Sequence, residues 1–145
     1  MTARRAAYDV LTAVIQGGAY TSLALKKHIP ASLSEEDKRF VTRLVRTTLE
    51  NLLRIDFALS GFIKGRVHGS VRNVLRLGAC QLLYMETADY AAVGESVSLV
   101  RQIKPQTAGF VNAVLRVLAA GKYAIAYPQG TSVQALSVET SYPEW

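Results

Sequence analysis

The 145-residue sequence has one cysteine, Cys80, and two histidines, His28 and His68. One thiol excludes a disulfide framework, and one Cys with two His makes no zinc set, so no metal is expected. Cys80 lies in the apolar run LGACQLLY, where a buried, inert thiol is expected, because a reactive one needs exposure and a nearby base. Four Pro and ten Gly exclude a low-complexity chain. No run approaches the ~18 apolar residues of a membrane span. The start, MTARRAAYDVLTAVIQGG, puts positive charge before apolar residues as a signal peptide does. Asp9 and Thr12 interrupt it on a helical period and no cleavage-like site follows, so a cytoplasmic chain is expected. Period-two alternation is also missing, which leaves no candidate strands.

What is present is helical period. Half the residues are hydrophobic, enough for a core. Ala7, Val10, Leu11, Val14 and Ile15 form one stripe of a helix over Ala3 to Gln16, stopped by Gly17-Gly18. A short helix over Thr21 to Lys27 is closed by Pro30. Ser34 caps the next helix, with Glu35, Glu36 and Asp37 at the positive end of its dipole. Its apolar repeat runs from Phe40 through Ile55, Leu59 and Ile63, with a bend. After a loop at Gly65 to Gly69, Ser70 is placed to cap a helix over Val71 to Met85, apolar nearly all round and therefore central. Two more helices follow, over Ala91 to Lys104 and, after Pro105, over Gln106 to Ala120. The expected fold is all-α, six helices in two packed three-helix sub-bundles, spanning residues 1–121. Residues 122–145, with Tyr142, Pro143 and Trp145 near the end, lose the period and read as an irregular linker.

Charge is uneven. Residues 1–122 hold all 17 Lys and Arg but nine of the 11 acids, and 123–145 carry only Glu139 and Glu144. A net charge of +6 favours an acidic partner, most often nucleic acid. Arg4 and Arg5 sit in the first turn of the first helix, where cations oppose the dipole, so phosphate contact is one reading and an Arg5–Asp9 pair the plainer one. Arg72, at the start of the central helix, is placed to reach a phosphate alongside them. Lys38 and Arg39 come next as RNA contacts. Arg39, Arg43 and Arg46 make a basic stripe, with an ion-paired solvent face as the rival reading. Arg76 is expected to bridge to Glu95. Asn112, which shares a polar edge with Arg116, is expected to bond nearby backbone. Tyr8, Tyr20 and Tyr90 are either base platforms or packing residues. No residues form a catalytic set, and no Gly-rich loop follows a strand to cradle a cofactor.

Four segments in order, RRAAYDVLTAVIQGGAYTSLAL, DKRFVTRLVRTTLENLLRIDFAL, VRNVLRLGACQLLYM and DYAAVGESVSLVRQIKPQTAGFVNAVLR, resemble the NusB-like RNA-binding domain over Ala3 to Ala120. That domain occurs as a free-standing transcription antitermination factor and at the front of Sun-type ribosomal RNA cytosine methyltransferases. The free-standing factors usually have Gly after the Asn of FVNAVLR and Asp after its Leu. Ala113 and Arg116 stand there in this chain, as in the methyltransferase version, and LSVETSYPEW is similar to the segment leading toward the catalytic domain. Gly94 departs from the family's Asn before Glu95.

The resemblance implies a non-catalytic RNA-binding domain that positions ribosomal RNA for a 5-methylcytosine methyltransferase domain outside this sequence. S-adenosylmethionine is expected only in that domain. Carried onto this chain, the family's basic first helix falls on Arg4 and Arg5, and the start of its fourth helix on Arg72. Reversing Arg4 and Arg5 to Glu is expected to weaken RNA binding without unfolding. Two alternatives stay open: a stand-alone antitermination factor with a ribosomal-protein partner, and a protein-interaction module.

Overall fold

The computed structural model describes residues 1–125 and Tyr127. The linker reading for 128–145 therefore falls outside the described residues, as does Ala126. Helix α1 (Ala3–Ile15) starts where the Thr2 hydroxyl accepts from the Arg5 N–H, and buries Ala7, Val10 and Leu11. Gly18, at φ 70°, turns the chain through the left-handed region that glycine enters without steric cost. Helix α2 (Thr21–His28) packs on α1. Helix α3 (Glu35–Glu50) is capped as expected, its Ser34 hydroxyl accepting from the Asp37 N–H at 3.0 Å.

The apolar repeat after α3 does not continue as one bent helix. It breaks at Asn51, and α4 (Leu52–Ser60) begins there. Asn51 leaves the helical region at φ −115° and ψ 21°, and its side-chain amide and its backbone N–H both donate to the Thr47 carbonyl, at 2.9 and 3.1 Å, closing the end of α3. Four helices thus precede the loop instead of three. Helix α5 (Gly69–Tyr84) starts two residues earlier than expected, because His68 caps it: its Nδ1 accepts from the Ser70 N–H. Helix α6 (Asp89–Ile103), a single 3-10 turn at Pro105–Thr107 and helix α7 (Ala108–Gly121) complete the domain, with a second short 3-10 turn at Lys122–Ala124.

The helices form two three-helix groups, α1–α3 and α5–α7, with α4 added against α5 and α7. Among the described residues there are no strands, and no helix is long and apolar enough to cross a membrane. α5 is the shared spine, touching α1, α3, α4, α6 and α7. Leu11, Leu44, Leu75 and Leu115 are fully buried around it, each worth roughly 1.5–3 kcal/mol over exposure. Gly78 permits the close approach: a Cβ there would lie 2.6 Å from a Leu115 methyl and 2.7 Å from the Ser96 hydroxyl.

Candidate nucleic-acid interface

The structure gives two of the expected RNA-contacting arginines, Arg4 and Arg5, partners within the protein. The Arg4 Nε donates to the Gln81 side-chain oxygen at 3.0 Å, and its guanidinium lies 5.0 Å from the Phe40 ring centre and 3.9 Å from Glu95. It thereby joins α1 to α3, α5 and α6. Burial pulls its pKa down, opposed by Glu95 and Asp37. Arg5 makes the plainer pair, to Asp9 at 3.2 Å, and also reaches Gln102 on α6 at 3.4 Å. Reversal of both charges would set a carboxylate against Glu95 and Gln81, so that substitution tests packing as much as RNA binding. Lys38 is held by Glu35 at 3.3 Å, while Arg39 is exposed with no ion pair among the described residues.

Arg76 does not bridge to Glu95. It takes Asp56 of α4 in a two-pronged pair, Nε and Nη2 each at 2.8 Å, and donates from Nη1 to Asn73 at 3.0 Å. The Asn73 amide in turn donates to Gln16 and Thr12 of α1. The sequence makes Glu95 the obvious partner because Asp56 belongs to a helix that only the break at Asn51 creates. Glu95 faces Arg4 instead. Arg72 is also separated from Arg4 and Arg5. α1 and α5 run antiparallel, with Arg4 beside Gln81 and Gln16 beside Gly69 and Asn73. The start of α5 lies the length of α1 away from Arg4, about 18 Å. Asn112, half-buried, makes no hydrogen bond through its amide among the described residues. It lines a groove between α6 and α7 with Tyr90, Val93 and the exposed Arg116.

Cys80 is fully buried on α5, 4.0 Å from the Leu44 carbonyl, and burial pushes its thiol up to about 11, so it is no nucleophile. No cluster of three His, Cys, Asp or Glu that could hold a metal occurs among the described residues. Tyr8 is buried; Tyr20 and Tyr90 are exposed.

A further cationic site involves none of the arginines above. A cleft of about 210 Å³ opens where the loop before α5 meets the corner between α6 and α7. Lys64, Arg66, His68 and Lys104 line it, with Val67, Val71, Thr107 and Phe110. No acid lines it, and none of its three cations, Lys64, Arg66 and Lys104, has an ion pair among the described residues. Gly65, at φ 82°, turns the loop so that Lys64 and Arg66 flank one opening. The Lys104–Pro105 junction makes the opposite corner, held by the Thr107 hydroxyl donating to the Lys104 carbonyl at 2.7 Å. An acceptor Nδ1 on His68 puts that ring's hydrogen on Nε2. Phe110 is 38% exposed, though its spacing places it on the same apolar face as Val111 and Val114. An exposed ring beside cations fits a stacked base with its phosphates. The signal was present in FIKGRVH, three basic residues around one Gly, but its other half lies some forty positions away.

The NusB family matches residues 1–120. The chain belongs to the NusB family. It is 34% identical to the probable ribosomal RNA small subunit methyltransferase B of Bacillus subtilis (strain 168) over 147 aligned positions, 98% of this chain and 33% of that protein. It is 35% identical to the transcription antitermination protein NusB of Nocardioides over 130 positions, 86% of this chain and 96% of that protein. Campylobacter jejuni NusB is 32% identical over 95 positions, 62% of this chain. This NusB-family chain thus spans about a third of the methyltransferase relative and nearly all of the Nocardioides factor.

Proposed function

We propose that this NusB-family domain binds RNA without catalysing a reaction, and that it holds ribosomal RNA for a 5-methylcytosine methyltransferase domain outside these 145 residues. The observation that carries the RNA part is the acid-free cleft of Lys64, Arg66, His68 and Lys104 around an exposed Phe110. The cleft takes one unstacked base against Phe110, and its cations take the flanking phosphates. Phosphate contacts set affinity and position, and the ring tolerates any base. The methyltransferase part is supported by the reach of the Bacillus subtilis likeness, which covers 98% of the chain, past residue 120 where the family match stops. Ala113 and Arg116 point the same way. S-adenosylmethionine then belongs to the other domain. The antitermination reading draws on the Nocardioides factor, 96% of whose length is covered. It shares the RNA surface but calls for a ribosomal-protein partner that strengthens binding.

The test is fluorescence anisotropy with a single-stranded RNA of a dozen nucleotides. Phe110→Ala with Lys64→Gln and Lys104→Gln is expected to weaken binding ~10-fold or more and to flatten the salt dependence by about 1.4 in log–log slope. Unchanged affinity between 50 and 200 mM salt, with an intact circular dichroism spectrum, would remove the cleft from binding. Reading the gene beyond the Trp145 codon tests the other half: an open frame with a Gly-rich cofactor loop and paired cysteines is expected, and a stop codon would overturn it.

A further inference from the structure

We propose that the face formed by α2 and α3 is a second RNA contact, separate from the cleft, that takes the phosphate backbone of double-stranded RNA. The proposal rests on the RNA-binding reading above. α3 buries Val41, Leu44, Val45 and Thr48, and its outer side presents Arg39, Arg43 and Arg46, all exposed. These fall at i, i+4 and i+7, a straight row spanning about 10 Å. Acids stand within helical reach, yet none is used: Glu35 takes Lys38, and Glu50 pairs with no cation among the described residues. The rival expectation of an ion-paired solvent face is therefore not what the side chains do.

α2 extends the row sideways. An open groove of about 470 Å³ separates it from α3, and Lys26 of α2 and Arg46 of α3 both line it. Lys27 is exposed next to Lys26. The groove has no acid on either bank, and its floor is aliphatic, from Leu23, Leu25 and Ile29. Lys26 and Arg46 thus share one groove, and Arg39 and Arg43 continue along the same side of α3. The face differs in kind from the cleft. No aromatic ring and no side-chain amide lines the groove, so it offers neither a platform nor an edge for an unstacked base. It offers a row of cationic side chains along α3 and two hydroxyls, Ser22 and Thr42. A regular backbone with 2′-hydroxyls fits that row, and duplex RNA is recognised by shape and backbone in this way. The two sites are distinct in space as well. α3 packs on α1, α4 and α5, whereas the cleft is built by residues 64–68, the start of α5 and the α6–α7 corner.

The experiment compares two ligands, a 20-base-pair RNA duplex and a single strand of a dozen nucleotides, on the full chain. Arg39→Gln, Arg43→Gln and Arg46→Gln together are expected to weaken duplex binding at least ~10-fold at 0.1 M salt and to lower the log–log salt slope by about 2–3. Single-strand affinity should move less than about twofold, as for independent sites. The matching triple Arg→Lys variant should retain duplex binding, since charge is what acts. Duplex binding unchanged in the Gln variant would overturn the proposal and leave the face to solvent or to an acidic protein partner. Equal loss of both ligands would overturn it in favour of one shared site. A wild-type chain that binds the single strand but not the duplex would sink this inference alone; one that binds neither would sink the RNA reading itself.

Discussion

Helices α3 and α5 are both 16 residues long, and both carry arginines at helical spacing, yet they use them oppositely. α5 buries ten residues and α3 four, so α5 has packed neighbours on most sides and α3 on one. On α5, Arg76 finds Asp56 and Asn73, and its head is satisfied inside the protein. On α3, Arg39, Arg43 and Arg46 are exposed and make no ion pair among the described residues. An arginine is thus a structural tie or a ligand contact according to how many helices surround its own. α5 illustrates the first case and α3 the second, on helices of equal length.

The sharpest way to break that contrast is Arg76→Ala. Its side chain is 12% exposed and that of Asp56 29%, so the substitution strands a carboxylate and the Asn73 carbonyl in a part-dry site. A loss of about 3 kcal/mol in urea unfolding is expected. A loss under about 1 kcal/mol would mean that α4 is held to α5 by apolar contact alone. The next effect is one of pH, at Cys80 on the same helix. Its folded pKa stands near 11, above an ordinary 9.0. Above pH 9 the unfolded chain releases this proton and the folded chain keeps it, so the unfolded state binds fewer protons and stability falls as pH rises. The contribution is whole below pH 9 and is lost by about pH 11, up to roughly 2 kcal/mol. Unfolding curves at pH 8 and pH 10.5 should therefore diverge more for the natural chain than for Cys80→Ala. Equal divergence would show that the thiol reaches water. The smallest effect belongs to α3: Arg43→Gln should change stability by less than about 0.5 kcal/mol. A cost above about 1 kcal/mol would make the outer face structural and weaken the case for a ligand there.

Much of the architecture was legible from local signals. The α1 stripe, the Gly17-Gly18 stop, the Ser34 cap and the central character of α5 each depend on a few neighbouring residues, and each stands as read. The break at Asn51 was not legible, because the apolar period runs straight through it. That one omission hid α4, and with α4 it hid Asp56 as the partner of Arg76. The cap of α5 was off by two positions because a histidine imidazole accepts an N–H as a serine hydroxyl does. For the candidate interface, residue type alone does not show what each cation touches. Arg4 was singled out for opposing its helix dipole, and Gln81, Phe40 and Glu95 resolve that opposition from three other helices. The spacing of Phe110 puts it with Val111 and Val114 on one apolar face, and at the corner by Lys104 it is 38% exposed.

Helical period, caps and the excess of base over acid are properties of short windows, and the sequence by itself determined them: an all-helical, cationic domain of the NusB family. Pairing is a property of distance. Arg76 lies 20 residues from Asp56, and Arg4 lies 77 from Gln81. Lys64 and Phe110 share a cleft across more than half of the α5–α7 group. Coulomb attraction and stacking act over a few ångströms, so only the packed helices decided which cations were spent on the protein's own carboxylates and which were left facing water for a polyanion.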